Sequence, residues 1–331
     1  MREQIKKKLA FVLKYMVGIT LLIWILLQID RKQMLLALAA IPIDVILPIL
    51  LIASLNLLGQ FLRWKFLVER HSNHYQKSDL LPSFFAGFAF RMIVPGGHAE
   101  ITKVFLLPGQ KRGKIVAFGI EKFFQTYIKF VFVVLALPLV FPQYRLVSWS
   151  IAGVAVAAYF FLPVIFRLSY LKQFQEKEIN YNLIFIRTLL YSLAIFACLI
   201  TQYYILLNEF HYIGLGDSIL AVIFIWGSGL LPITVSGLGV RENIAVFFLT
   251  RHEIPAYAAV AASLLIFFIN SVVPALIGLY FIYKRRKDLH DAPAALKMAT
   301  KTIYESGKQK INGKYRKHNN KPDPEITTEK F

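Results

Sequence analysis

Arg241 and Glu242 stand side by side within LLPITVSGLGVRENI, between the apolar segments SILAVIFIWGSG and AVFFL. A guanidinium offers a planar fork of donors that matches a phosphate or a carboxylate. A second group, Arg91, His98, Glu100 and Lys103, lies in RMIVPGGHAEITK. A third lies in EKFFQTYIK, where Glu121, Gln125 and Lys129 fall four apart and share one helical face. Lys122 is about 100° around that helix from Glu121. The combined chemistry is recognition of an anion by positioned cations, with glutamates to balance them. Scattered amides, Asn56, Gln60, Gln202 and Asn270, are the other polar residues of note in apolar runs.

The elements that carry these residues are membrane helices. Of 331 residues, 57% are hydrophobic and only 17% charged, with a mean hydropathy of +0.55. Soluble domains are roughly half apolar and a quarter charged, so the chain reads as an all-α polytopic membrane protein. Six spans are expected, at about Leu9–Ile29, Ile43–Leu62, Ile115–Phe141, Val147–Phe166, Phe185–Leu207 and Tyr257–Tyr283. The first is expected to be an uncleaved anchor, because it outlasts the roughly 7–15 apolar residues of a signal peptide. Two further apolar stretches are interrupted. Leu80–Gly97 ends in Pro95, Gly96 and Gly97; Ser218–Gly239 is broken by Gly227, Gly229, Pro232, Gly237 and Gly239. Each is followed by a short apolar piece, ITKVFLL or NIAVFFL, the pattern of a re-entrant helical hairpin.

Charge orients this arrangement. The formal net charge is +19, and the basic residues gather in MREQIKKK, in the loops after the second and fourth spans, in GQKRGK and in the tail. Basic segments beside a span mark the cytoplasmic side and touch anionic headgroups, a reading preferred here over nucleic-acid binding. Both termini are therefore expected in the cytoplasm, with Arg31, Lys32, Arg145 and Arg251 as exceptions outside. Residues 1–283 form the transmembrane domain, and 284–331 a basic cytoplasmic tail, partly disordered. The halves, about 9–141 and 147–283, start on opposite sides and form an inverted repeat. In such transporters the substrate site lies between the repeats near the midplane.

Ionisable residues within membrane segments are costly and are candidates for function. Arg91, His98, Lys103, Arg241 and Asn243 are expected to contact an anionic lipid headgroup. Glu100, Glu242, Glu121 and Lys122 are expected to organise its charge, and the start of a half-helix after SGLG to add anion-binding N–H groups. The structural alternative is a set of ion pairs, Arg241 with Glu100 and Arg91 with Glu242, that only fixes packing. The amides are expected to bond across helices. Enzymatic motifs are not legible. GLGVRE lacks the third glycine and the strand of a dinucleotide fingerprint. The pair His71 and His74 offers too few metal ligands. Asp288 and Asp291, the only close aspartate pair, lie in the tail. No metal or cofactor is expected, and the single cysteine, Cys198, cannot form an internal disulfide.

The segments FLRWKFLV, VPGGHAEITKVFLL, EKFFQTYIK and LLPITVSGLGVREN resemble the transmembrane region of the lysylphosphatidylglycerol synthases, a family also described as flippase-like. The motif P-x-x-x-x-G-x-G-x-R-E, Pro232 to Glu242, is the most specific element, and the resemblance runs from roughly Leu9 to Tyr283. It implies the translocating half of a synthase without the soluble aminoacyl-transfer domain. The implied cargo is an anionic or aminoacylated phospholipid, or a polyprenyl glycolipid. The implied location is the cytoplasmic membrane, with membrane lipids and a lipid synthase or glycosyltransferase as partners. An embedded transferase using Glu100 or Glu242 as base, and a non-catalytic subunit that presents lipid to a synthase, are the other readings. The family often carries Gly-Glu directly in the first hairpin; here the segment is GGHAE, with His98 inserted.

Overall fold

The computed structural model describes residues 16–93, 98–166, 179–231, 234 and 237–284. These residues are helical throughout, joined by short turns and without a strand. The first predicted span is described from Met16 onward, as α1 (Met16–Gln28). Helix α2 (Arg31–Ala40) follows in a stretch read from sequence only as a connection. Its start is set by Asp30, whose carboxylate accepts the Gln33 N–H at 3.0 Å. Helix α3 (Ile43–His71) runs past the predicted end at Leu62 and buries Arg63, Trp64, Leu67 and His71. Helix α4 (Lys77–Ile93) leads, beyond residues 94–97, to a 3-10 helix at His98–Leu106.

Helices α5 (Arg112–Val140) and α6 (Arg145–Phe166) come next, then α7 (Tyr181–Phe210), whose first turn is capped by Asn180. Helix α8 (Leu215–Gly227) passes into a 3-10 turn at Ser228–Leu230, and α9 (Val240–Leu249) resumes after the glycine-rich segment. The last rod is α10 (Ala256–Phe267), a π-turn at Phe268–Val272 and α11 (Val273–Lys284). Among the described residues, five stretches are long and apolar enough to cross a membrane: Ile43–His71, Arg112–Val140, Pro142–Ile165, Tyr181–Phe210 and Ala256–Lys284. At a rise of about 1.5 Å per residue, α8 and α9 fall well short of a hydrocarbon core roughly 30 Å thick.

The packing is paired. Helix α3 lies along α7. Helix α4 lies against α11, and α8 against α5. Helix α5 touches α3, and α10 touches α7. Helix α6 lies on α5, while Ile25 of α1 meets Val260 and Ala261 of α10. These pairs correspond between the two halves of the chain, whereas the packing of α2 on α10 has no such counterpart among the described residues. Many large apolar side chains face outward, among them Leu47, Leu51, Phe160, Phe161 and Leu190. In a bilayer such faces are met by lipid rather than water.

The α4–α11 crossing depends on Gly278. A Cβ there would lie 2.1 Å from the Phe85 carbonyl oxygen. Small residues allow such close backbone approach between membrane helices. Gly278→Ala should force the helices apart and cost about 1–3 kcal/mol, the usual range for overpacking. Gly153→Ala, with nothing within 4 Å of the added carbon, is the control. Thermal denaturation in detergent should show a lower midpoint for the first variant and an unchanged or higher one for the second.

Candidate functional site

The 3-10 segment places the first charges. At three residues per turn, positions three apart eclipse one another, so Glu100 and Lys103 share a face. That face meets α3 and α5. Lys103 Nζ lies 3.3 Å from Glu100 Oε1 and 2.5 Å from Glu121 Oε2. It also sits 4.0 Å above the Trp64 ring. Glu121 turns its other oxygen to Arg63 at 3.6 Å, and Lys122 pairs with Glu100. Arg63 Nη1 donates to Ser192 Oγ at 2.9 Å, and Ser83 Oγ donates to the Lys103 carbonyl at 2.8 Å. Lys103, Glu121 and Arg63 are almost fully buried, so each charge is compensated by contact with another rather than by water. Lys103, expected at a headgroup, is thus placed inside an ion lattice behind it.

The second group forms where α9 begins. Gly239, at φ +82°, turns the chain, and an added Cβ there would strike the Gly18 carbonyl and Leu21. The Gly239 N–H donates to Glu242 Oε2 at 2.7 Å, so the helix start is capped by the chain's own carboxylate. The sequence had suggested this N-terminus for an outside anion. Arg241 pairs with Glu242 through two nitrogens, donates from Nε to Ser263 Oγ at 2.9 Å and covers the Phe267 ring at 4.2 Å. Its partner is therefore its neighbour, not Glu100. Asn243 donates to the Gly239 carbonyl at 2.7 Å.

Two adjoining chambers separate these groups. The larger, about 500 Å³, is lined by Arg91, Lys122, Lys129, Arg241 and Thr234. The smaller, about 170 Å³, shares Arg91, Lys129 and Arg241 and adds Arg63, Asn56 and Gln60. Lys122 donates to Gln125 Oε1 at 2.9 Å, and Lys129 lies 4.9 Å above Trp226. The lining face of α5 is thus Lys122, Gln125 and Lys129, while Glu121 points to the lattice.

Six cations, Arg63, Arg91, Lys103, Lys122, Lys129 and Arg241, stand in the lattice and chambers against three glutamates, Glu100, Glu121 and Glu242, among the described residues. Counted formally, the excess among these residues is three positive charges.

Of the residues expected at a headgroup, Arg91 and Arg241 line the chambers, together with Lys122, which had been expected to organise charge. Lys103 and Asn243 do not appear in the described lining. The His98 side chain, Pro95, Gly96, Gly97 and Pro232 lie outside the described residues. Lys129, read from sequence on one face with Glu121 and Gln125, was not expected at the headgroup, and Arg63 was left out. The spacing Asn56, Gln60, Arg63 along one face of α3 carried the signal for the latter. The amides bond across helices: Asn56 to the Ile195 carbonyl, Gln202 to the Ile49 carbonyl and Asn270 to Gln202.

A family model described as lysylphosphatidylglycerol synthase TM region matches residues 11–278. The chain belongs to this family. It is accordingly a multi-pass membrane protein of a lipid-related family. No curated protein matches it.

The lattice makes a stability prediction. Glu121→Gln leaves Lys103 and Arg63 without their shared carboxylate and should cost about 3–5 kcal/mol, as for other broken buried pairs. Adding Lys103→Met should recover part of that loss as a coupling energy in a double-mutant cycle. Denaturation midpoints in detergent read both. Additive effects would show that the two residues do not interact.

Proposed function

We propose that this chain is a lipid translocase of the cytoplasmic membrane, in which the headgroup passes through the paired chambers while its acyl chains stay in the bilayer. The observation that carries the reading is the excess of positive charge around a cavity enclosed by interrupted helices. Buried charge without full compensation is costly, and a lipid phosphate would balance it. Arg91, Lys129 and Arg241 border both chambers and are the groups to hold that phosphate; Lys122 adds a fourth cation in the larger one. Glu100 and Glu242 keep Lys122 and Arg241 in position through their ion pairs.

We further propose that α4 with the 3-10 helix, and α8 with α9, are re-entrant hairpins entering from opposite faces, with both termini in the cytoplasm. The short lengths of α8 and α9 and the pairwise correspondence of contacts support an inverted repeat. The reading as an embedded transferase has weaker support, because Glu100 and Glu242, its candidate bases, are engaged with cations and a backbone N–H. A lipid synthase or glycosyltransferase that makes the cargo is the expected partner.

Purified protein in vesicles with a fluorescent anionic phospholipid should accelerate leaflet exchange. Arg241→Gln and Lys129→Gln should each lower that rate about tenfold or more, the scale of a lost charge-assisted contact. Wild-type rates in both variants would remove the chamber from transport. Topology is tested in a Cys198→Ala background with single cysteines at Gln76 and Tyr212, both exposed. Impermeant reagent should label the first only from the cytoplasm and the second only from outside.

A further inference from the structure

The chamber walls are one-sided in charge. Among the described residues no aspartate or glutamate lines either chamber. The nearby glutamates are turned to cations: Glu121 to Arg63 and Lys103, Glu100 to Lys103 and Lys122, Glu242 to Arg241. An ammonium group brought into this space would meet cations on several sides and no carboxylate to receive it. Juxtaposed like charges discriminate strongly against a ligand.

The two chambers share Arg91, Lys129 and Arg241, and each has a fourth cation, Lys122 in the larger and Arg63 in the smaller. Ser271 of the π-turn lines both, and the larger also has Thr126, Ser228 and Thr234. The smaller adds the amides Asn56 and Gln60 of α3 and Asn270 of the π-turn, with Ser192 of α7. These amides offer both donors and acceptors. A hydroxyl, which both donates and accepts, suits them; an ammonium only donates.

We infer that the preferred cargo is an anionic lipid whose headgroup carries hydroxyls beyond its phosphate, of the inositol- or sugar-bearing class, and that an amine-bearing aminoacyl lipid is rejected. This rests on the translocase reading above. The phosphate takes the larger chamber between Arg91, Lys129 and Arg241. The hydroxylated part reaches the smaller chamber and meets the amides that line it, Asn56, Gln60 and Asn270. The family description names a lysylated phospholipid, and the chamber chemistry of this chain points away from it.

The test compares cargos on the full chain in phosphatidylcholine vesicles carrying trace fluorescent phosphatidylinositol, phosphatidic acid or lysylphosphatidylglycerol. Phosphatidylinositol should exchange about tenfold or more faster than the lysylated lipid, the size of discrimination a rejecting site supplies. Gln60→Leu and Asn270→Leu should bring the phosphatidylinositol rate down toward that of phosphatidic acid. A measurement without variants accompanies this: soluble inositol phosphate should raise the wild-type thermal midpoint more than phosphoethanolamine does. Equal rates for all three lipids would overturn the cargo assignment and leave the translocase reading in place. Faster exchange of the lysylated lipid would reverse the assignment. No exchange of any lipid above protein-free vesicles would overturn both. If soluble inositol phosphate still stabilised the protein in that last case, the cavity would be a site for soluble anions instead.

Discussion

Everything around the cavity depends on the buried contact between Lys103 and Glu121. It joins a 3-10 segment, which has few internal bonds of good geometry, to a long membrane helix. Through Arg63 the same carboxylate engages α3, and through Glu100 the same ammonium is linked to Lys122. Three separate stretches of chain are thereby held at one depth. In a medium without water to solvate charge, these groups satisfy each other or bear a large desolvation cost. The lattice therefore fixes where the chamber wall stands and which cations remain to face inward.

The charged residues were legible as a set because each breaks an apolar run. Their division into wall and lining was not. Glu121 and Lys129 share a face by the rule of four, yet Lys122, Gln125 and Lys129 share another by three and four. Only the position of α3 decides which one meets the cavity. Lys103 looked like a headgroup ligand because it is a cation in a broken membrane segment; the fold instead buries it between Glu100 and Glu121. Arg63 was assigned to a basic loop because α3 was ended at Leu62. The helix continues, since Trp64, Leu67, Val68 and His71 all find buried surroundings.

The helical class and most spans followed from composition, because length and apolarity alone define a crossing helix. Helix α2 was missed because RKQMLLALAA shows little apolar periodicity, and its Asp30 cap is a short-range signal. The pairing of Arg241 with Glu242 also escaped pattern reading. Adjacent residues do not normally face each other on a helix, but a guanidinium is long enough to reach back to the first turn. Glu242 then serves the turn and the arginine together, which ties the shape of the glycine-rich segment to the direction of the guanidinium.

On the inverted-repeat reading proposed above, the π-turn at Phe268–Val272 makes the two halves unequal. Helix α5 runs without such a turn and presents lysines, whereas the widened turn presents Asn270 and Ser271. A cargo held between them has a charged wall on one flank and a neutral, hydrogen-bonding wall on the other. Swapping the roles of the halves does not restore the same surroundings. On the translocase reading proposed above, the two open forms would accordingly differ in energy, giving the protein a resting orientation written into a single extra residue of helical turn.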